Sequence, residues 1–512
     1  MSTLAVPDAL AFVEPSLIVH AFAPLSGASG DRAASESYLR RLWDACERLE
    51  MTEARLPGVG TSFVWPDPGG SDRFAIRAAR GTPDTGARRQ AILFQRHDVI
   101  GVALALEDPG SSKDLEGWRE LLGTWRDALA AEGGSAAIDP DGPVPDAILG
   151  ETLTFLCGYD APEATPDVLG SAVGQAVHRC GLQMWDAPYE PGGDLILWDG
   201  EGTGGRRVVA ALAPAGDRDE LSRLFWWDGE RELAPMARYQ VNAAKLRYEA
   251  RVHELRKAAL AAALTRVEQA VDGVLGADRE LDTGSTASLP RVERQLIEAQ
   301  ADSAGLVIQV SYLRELQRTV EIAKHNMALV APAPNTGAHD TMVDRDQAIA
   351  DGLSQQISHD IGYAEAVMER ARHATGLSSL RFQHAEQRVQ RERARAVLFQ
   401  TALLSALLVG LGAIATFDLT LKVGRSLRLP LLVSLVTLLF AAPIVAGSWH
   451  DGFRPADRIV VGLLGASLGW LAVVAAWSAA PWFAIVAGVG VGAAVSQILA
   501  ARRTWRRDPR TG

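Results

Sequence analysis

Two glycine-spaced motifs are the segments of this chain whose residue types most directly suggest chemistry. The first, Gly200–Gly205 (GEGTGG), fits G-x-G-x-x-G, the pattern that binds the pyrophosphate of a dinucleotide. Such a site requires a helix after the glycines, because the phosphate binds at the helix N-terminus. The residues that follow, Arg206–Leu212 (RRVVAAL), are instead typical of a strand. We therefore interpret this motif as a flexible hairpin loop and predict no cofactor site.

The second motif, Gly465–Gly469 (GASLG), fits the G-x-S-x-G nucleophile elbow of α/β-hydrolases. It lies inside an apolar segment of helical length, where no strand–turn–helix unit can form. Gly465 and Gly469 are four residues apart, as are Gly488 and Gly492, and small residues at this spacing allow membrane helices to approach closely. We predict that these four glycines pack helices and that Ser467 is not a nucleophile.

Histidines and cysteines form no pattern typical of catalysis or metal binding. The ten histidines include no H-E-x-x-H, and Cys46, Cys157 and Cys180 include no C-x-x-C pair. A dyad such as Cys157 with His178 stays open, but buried thiols are the simpler interpretation. We predict no catalytic, metal or cofactor residues and no enzymatic activity. A hydrolase with a dispersed site in the N-terminal half is the enzymatic alternative.

The segments that would position any site divide the chain into four parts. Residues 1–235 alternate between strand and helix patterns and predict an α+β head. Residues 236–395 repeat apolar side chains every three or four positions between charged ones, which predicts a helical hairpin or coiled-coil stalk. Residues 396–501 predict four transmembrane helices, and residues 502–512 form a basic tail.

The head shows the order strand, helix, strands, helix twice. We interpret this as an internal duplication of residues 1–140 and 150–235, with mainly antiparallel sheets. A faint echo between Trp65–Asp72 and Trp185–Asp194 supports the duplication. A short strand is predicted at Ser62–Trp65, in addition to the longer ones.

The stalk contains three helical stretches separated by loops. Each of the first two has about 40 residues, which corresponds to roughly 60 Å of helix. This length favours an extended stalk that ends at the membrane, and a compact bundle beside the head is the alternative. The third stretch begins at a predicted capping box formed by Thr341 and Asp344.

Four apolar runs near the C-terminus are each close to the roughly 20 residues that span a bilayer. They are Ala396–Phe417, Leu429–Ser448, Ile459–Trp477 and Pro481–Ala501. With both termini in the cytoplasm, ten flanking basic residues lie inside and three outside, in agreement with the positive-inside rule. We expect a multi-pass protein of the cell membrane. The alternative makes the last two runs one re-entrant hairpin.

Charge is distributed unevenly along the chain. The net charge of the whole chain is −11, of which residues 1–390 carry −19 and the residues from Arg391 onward carry +8. An acidic N-terminal part of this kind is a poor partner for nucleic acid or an anionic membrane surface, so we predict no nucleic-acid partner. The lipid bilayer is the partner that the C-terminal runs indicate.

An aromatic segment where head and stalk meet, Leu224–Gly229 (LFWWDG), is the most distinctive part of the head. We favour the interpretation that Phe225, Trp226 and Trp227 are buried anchors between the two parts. The functional alternative is an exposed aromatic site for a partner protein. That site would include the three aromatic residues together with Arg238 and Tyr239.

Two stretches of the chain resemble a known family. Val6–Pro24 (VPDALAFVEPSLIVHAFAP) and the residues Trp227, Pro235, Arg238-Tyr239 and Ala243–Glu249 resemble the N-terminal domain of the caspase-and-TPR-repeat-associated (CATRA) proteins. The resemblance covers roughly residues 1–260 and implies a component of a bacterial conflict system, with a caspase-like protease or a TPR protein as partner. It implies no active site.

From these observations we expect a non-enzymatic, membrane-anchored adaptor or signal transducer whose cytoplasmic head recognises a protein partner or ligand. The alternative is a pore-type effector, in which the membrane helices assemble a homo-oligomer that perturbs the bilayer once the head is triggered.

Overall fold

The structure is a computed structural model of the chain. It describes residues 10–25, 29–66, 74–83, 88–107, 114–130, 138–161, 164–185, 188–191, 194–226, 232–282, 289–331, 341–419, 425–451 and 455–476. The chain divides into two compact units. The first comprises Met1–Gln269 and Gln300–Ala371, and the second comprises Ala270–Ala299 and Arg372–Gly512.

The predicted alternation of strands and helices in the first 235 residues is confirmed. The strands are β1 (Ala11–Pro24), β2 (Glu53–Ala54), β3 (Ala75–Gly81), β4 (Arg88–Arg96), β5 (Val99–Glu107), β6 (Gly150–Asp160), β7 (Gln183–Met184), β8 (Ile196–Glu201) and β9 (Arg207–Pro214). The helices between them are α1 (Ser29–Arg48), α2 (Glu116–Ala130), α3 (Pro166–Arg179) and α4 (Arg218–Phe225). The strand predicted at Ser62–Trp65 is wrong: this segment is a loop whose Phe63 and Trp65 pack against the core without sheet pairing.

The described strands form one nine-stranded sheet in the order β2-β3-β4-β5-β1-β6-β9-β8-β7. Neighbouring strands are antiparallel, except that β6 and β9 are parallel. The prediction of mainly antiparallel pairing is confirmed, and β1 pairs with both β5 and β6, so that the two predicted units share one sheet. Each half does contain a strand, a helix, further strands and a second helix. The origin of the two halves by internal duplication stays a prediction.

Helices cover both faces of this sheet. Val19 and Ala21 of β1 project to one side of the sheet, which we call the first face. There they belong to a core that includes residues of α1, α2 and α3. Phe22 points to the opposite, second face, where it packs with Val241 of α5 (Pro235–Asp282). Successive side chains of a strand alternate between faces, so a strand with two covered faces is apolar at nearly every position.

The predicted helical stretches correspond to three long helices. They are α5, α6 (Leu289–Val330) and α7 (Met342–Leu419). Pro235 is the first residue of α5. Proline is tolerated there because the amide of the first helical residue has no hydrogen-bond partner within the helix. The capping box is confirmed, since the Thr341 amide donates to Asp344 Oδ2 at 3.0 Å and the Asp344 amide donates to Thr341 Oγ1 at 3.3 Å. A coiled coil is not confirmed, and the extended stalk stays a prediction.

The second unit contains apolar helices where the first three apolar runs were predicted. Two helical segments, Met342–Gly412 and Ile459–Ala476, are long and apolar enough to cross a membrane by length and composition. The second run lies in α8 (Arg425–Asp451), whose apolar segment Leu427–Ala442 is shorter, and the third lies in α9 (Pro455–Ala476). Among the described residues there are therefore two candidate spans, and not the four that we predicted for the whole chain. The fourth run, Pro481–Ala501, lies outside the described residues.

Candidate functional site: a buried charged junction between sheet and helices

An arginine on the second face of the sheet is the centre of a group of paired polar side chains. Val208 lies in the first core, so Arg207 beside it projects to the opposite face. Its guanidinium donates two hydrogen bonds to Asp199 of β8, from Nε to Oδ1 at 2.8 Å and from an Nη to Oδ2 at 3.0 Å. The exposed fractions of Arg207 and Asp199 are 7% and 1%. A bidentate geometry of this kind orients both side chains.

Asp346, at the start of α7, connects this pair to the helices. The capping box places it in the first turn, and it is fully buried. Asp346 Oδ2 accepts hydrogen bonds from Arg207 at 2.8 Å and from the Tyr239 hydroxyl at 2.7 Å. Its Oδ1 accepts one from Arg247 at 2.7 Å. Tyr239 and Arg247 both belong to α5 and are eight residues apart, so they lie on the same side of that helix.

The five side chains are electrically balanced. Burial by itself would raise the pKa of Asp346, but attraction to Arg207 and Arg247 outweighs burial and lowers it. Burial disfavours the charge on Arg207, yet Asp199 and Asp346 raise the pKa of its guanidinium well above the usual value. Two carboxylates therefore face two guanidiniums, and the shifted pKa values of Asp346 and Arg207 both favour the charged forms of this pair. The Arg207 guanidinium also lies 5.5 Å from the centroid of the Tyr239 ring.

This group, which we call the junction, joins β8 and β9 to the start of α5 and the start of α7. Its polar atoms bind one another, so the arrangement is suited to holding elements in one geometry rather than to reacting with a substrate. Removing one member of a buried pair leaves an uncompensated charge, which is strongly destabilising. Sequence reasoning singled out Tyr239 but missed Arg207 and Asp346. The signal in the sequence was an arginine pair that opens an apolar strand (RRVVAAL).

A second buried ion pair lies near Arg206 and links the sheet to α1. Arg206 Nε lies 3.2 Å from Glu151 Oε1, and the Tyr38 hydroxyl of α1 donates to Glu151 Oε2 at 2.6 Å. All three side chains are almost fully buried. Burial first, and then Glu151, raise the pKa of Tyr38 well above its usual value, so this tyrosine stays protonated.

The predicted aromatic site is mostly inside the protein. Phe225 and Tyr239 are buried, and Trp226 packs partly buried against the core of the second face. Arg238 is partly exposed and lies 2.5 Å from Glu232. Trp227 lies outside the described residues. The structure thus brings Tyr239 into the junction and leaves Trp226 and Arg238 accessible, while the binding of a partner to this segment stays a prediction.

The three cysteines and His20 are buried, and burial shifts their pKa values. Burial raises the pKa of Cys46 and Cys157 to about 12 and that of Cys180 to about 11. Cys157 Sγ donates to the carbonyl of Val13 at 3.2 Å. His20 is buried on the second face, stacks on Phe22 and has its pKa lowered to about 3 by burial. Among the described residues, no group of three or more histidines, cysteines and acidic residues is arranged to hold a metal ion.

The glycine motif at Gly200–Gly205 is a hairpin loop, as predicted. It connects antiparallel β8 and β9. Gly204 has φ of +69°, and a Cβ there would lie 2.1 Å from the carbonyl oxygen of Gly142. The glycines therefore permit a tight turn and a close backbone contact, which is a role that needs no phosphate.

Ser467 lies inside α9 and makes helix-to-helix contacts. Its carbonyl accepts from Ser434 Oγ of α8 at 2.8 Å, and its hydroxyl lies 2.6 Å from Thr437 Oγ1 of the same helix. Gly465 and Gly469 flank it in α9, and their role in packing stays a prediction. Gly488 and Gly492 lie outside the described residues.

Two family models match consecutive parts of the chain. The model described as the CASPASE and TPR Repeat-Associated N-terminal domain (CATRA-N) matches residues 16–229. The model described as the CASPASE and TPR Repeat-Associated C-terminal domain (CATRA-C) matches residues 234–371. The junction spans both matches, since Asp199 and Arg207 lie in the first and the other three members in the second. No curated protein and no solved structure matches the chain at a significant level.

Proposed function

Because the chain belongs to the CASPASE and TPR Repeat-Associated (CATRA) proteins, we propose that it is a non-enzymatic adaptor of a bacterial conflict system. In this proposal the sheet domain recognises a protein partner or ligand in the cytoplasm. The helical domain transmits that event to the C-terminal helices, which anchor the protein in the cell membrane. A caspase-like protease or a TPR protein is the partner that the family description indicates.

The observation that carries this proposal is the junction. Asp346 of the helical domain accepts hydrogen bonds from Arg207 of the sheet domain and from two side chains of α5. A partner that shifts β9 would act directly on the first turn of α7. That helix continues without a break into the first apolar run. This continuity supports the proposal, since the same helix contains both a junction residue and the first apolar run.

The membrane anchor is supported by the exposed apolar side chains of the second unit. Exposed leucines recur along the end of α7 and in α9: Leu403, Leu404, Leu407, Leu408, Leu411, Leu463 and Leu468. Contiguous exposed apolar surface is rare in a monomer surrounded by water. A bilayer is the partner that would cover it, with both termini in the cytoplasm as the flanking charges predict.

The adaptor proposal is tested by purification of the tagged full-length chain from native membranes in mild detergent, followed by mass spectrometry. We expect a caspase-like protease or a TPR protein to co-purify, and Trp226→Ala together with Trp227→Ala to reduce its recovery about tenfold or more, as loss of an aromatic hot spot does. The matched control is Val64→Ala, an exposed apolar residue elsewhere in the sheet domain. Recovery of the chain without either partner would contradict the proposal.

A pore-type effector is the second candidate function. It is favoured by the pairing of α8 and α9, which form hydrogen bonds through Ser434, Thr437 and Ser467. Hydrogen bonds between helices allow polar side chains to lie inside a membrane, where water cannot bind them. An oligomer assembled through the glycine faces would then perturb the bilayer. Dye release from liposomes that contain the chain would favour this function. Intact liposomes at every protein-to-lipid ratio would favour the adaptor.

A further inference from the structure

A cavity of about 490 Å³ lies where the parallel strands β6 and β9 end, away from the junction. Tyr159 and Asp160 of β6 line one side of it, and Pro214 of β9, which pairs with Tyr159, lines the other. In sheets with parallel strands, ligands bind in the crevice outside the carboxyl ends of those strands. The volume is in the range of small-molecule sites, which is about 300–1,000 Å³.

The crevice exists because the chain leaves the two strands in opposite directions. After β6 it enters α3, whose Leu169 and Val173 belong to the core of the first face. After β9 it enters α4, whose Arg218 donates to Ser16 Oγ at 3.3 Å. Ser16 precedes Leu17 of the first core and therefore projects to the second face. Divergence of this kind is the topological switch point at which open sheets place their ligands.

The charge of the cavity is strongly negative. Asp160, Glu190 and Asp194 line it, together with apolar surface that includes Leu195 and Ile196, and its described lining contains no basic residue. None of the three carboxylates forms an ion pair with another described residue. Carboxylates at the rim above apolar walls complement a ligand with a cationic end and an alkyl stem.

A buried tyrosine supplies a second, independent feature of the cavity. Tyr159 lines it with 7% of its surface exposed, while its ring belongs to the core of the first face. Within the described part of the chain, its hydroxyl has no hydrogen-bond partner. Burial first, and then the charges of Asp194 and Asp217, raise the pKa of the phenol, which places it close to the acidic rim. The rest of the tyrosine is largely buried and its side chain lines the cavity, so a ligand in the cavity is the group that would complete the hydrogen bonding of this hydroxyl.

We propose that this cavity binds an alkylammonium or alkylguanidinium group. The cationic end lies among Asp160, Glu190 and Asp194, with the Tyr159 hydroxyl as a hydrogen-bond acceptor, and the alkyl stem lies on the apolar walls. The inference goes beyond the adaptor proposal, because it assigns a ligand class to a site whose lining contains no residue of the aromatic segment. A free cation and a lysine or arginine side chain of a partner share this chemistry.

The test is isothermal titration of the full-length chain in mild detergent with agmatine and with the tripeptide Gly-Arg-Gly. We expect a dissociation constant on the order of 1 mM or tighter for at least one probe, which weakens as salt screens the carboxylates. The double variant Glu190→Gln, Asp194→Asn should weaken binding about tenfold, and Tyr159→Phe about threefold. Glu220→Gln, an exposed acidic residue of α4 outside the cavity, is the control and should change nothing.

The two probes distinguish the sources of the ligand. Tighter binding of agmatine indicates a free cation, and tighter binding of the tripeptide indicates a side chain of a partner polypeptide. The inference is overturned if neither probe binds, if Gly-Gln-Gly binds as well as Gly-Arg-Gly, or if the cavity variants bind like the wild type. Because binding is measured on the purified chain, none of these results depends on whether a partner protein co-purifies.

Discussion

Arg207 of β9 and Asp346 of α7 are 139 residues apart in the chain and form a 2.8 Å ion pair with both side chains buried. One residue lies in the match to CATRA-N and the other in the match to CATRA-C. The two family domains are therefore joined by a charge pair in the interior, in addition to the apolar contacts of α5 with the sheet.

Asp346→Asn removes the charge that faces Arg207 and Arg247. We expect it to destabilise the protein by about 3 kcal/mol, because it leaves the buried Arg207 and the partly exposed Arg247 without full compensation. The measurement is thermal unfolding followed by tryptophan fluorescence. The control is Asp351→Asn on the same helix, where an exposed ion pair with Lys324 is lost and the cost should stay below about 1 kcal/mol. Equal effects of the two variants would contradict the assigned role of the junction.

Tyr239→Phe tests the contribution of one hydroxyl to the junction. It removes the 2.7 Å hydrogen bond to Asp346 and keeps the buried ring. We expect a loss of about 1–3 kcal/mol, the usual cost of a buried hydrogen bond to a charged group. The matched variant is Tyr363→Phe, which removes the bond of an exposed tyrosine to Glu268. A Tyr239→Phe protein as stable as the Tyr363→Phe protein would show that the hydroxyl has no structural role.

Glu249 of α5 gives the protein a dependence on pH near neutrality. Burial raises the pKa of this carboxyl to about 7, with Lys245 and Arg256 opposing and Glu315 and Asp98 reinforcing the rise. A raised pKa means that the folded state holds the proton more tightly than the unfolded state. The contribution of Glu249 to stability is therefore fully present below its ordinary pKa, near 4.5, and is lost as the pH rises through about 7.

Glu249→Gln should abolish this dependence. We expect the variant to be about 1–2 kcal/mol more stable than the wild type at pH 8, relative to their difference at pH 5, since the amide never has to lose a proton. Chemical unfolding at a series of pH values measures the difference. The control is Glu254→Gln, an exposed residue of the same helix that pairs with Lys257, which should leave the profile between pH 5 and 8 unchanged. A wild-type profile that is flat between pH 5 and 8 would refute the prediction.

The junction predicts the opposite behaviour in acid. The pKa of Asp346 is lowered, because Arg207 and Arg247 outweigh the effect of burial. A lowered pKa gives stability that is present above the ordinary pKa of an aspartate and is lost as the pH falls through the lower value. We expect the wild type to lose stability below about pH 4, and Asp346→Asn to lose less over the same range. Identical acid profiles for the two proteins would argue against the charged state of Asp346.

The three cysteines should be unreactive in the folded protein. Cys46, Cys157 and Cys180 are buried, and burial raises the pKa of each thiol to about 11 or 12. Because only the thiolate is nucleophilic, we expect no reaction with a disulfide reagent at pH 8 and complete reaction of all three in denaturant. Rapid labelling of a native thiol would revive the interpretation of a cysteine nucleophile.

Local patterns were enough to predict most of the elements. The order of strands and helices in the first 235 residues, the capping box at Thr341 and the hairpin at Gly200–Gly205 follow from periodicity and turn chemistry, which act between residues close in sequence. The family also followed from short stretches near Pro15 and Tyr239. Ser62–Trp65 shows the limit, since apolar residues of strand type can be buried in a loop.

Long-range pairing was decided by the tertiary structure. The periodicity of the sequence does not reveal that β1 lies between β5 and β6. Strand order depends instead on how the two halves of the sheet bury a common core. In the same way Arg207 and Asp346 are unremarkable as single residues, and only the fold brings their charges within 3 Å. The sequence by itself determined the family and the types of element, whereas the tertiary structure decided which charges pair, because pairing in the interior depends on distance in space.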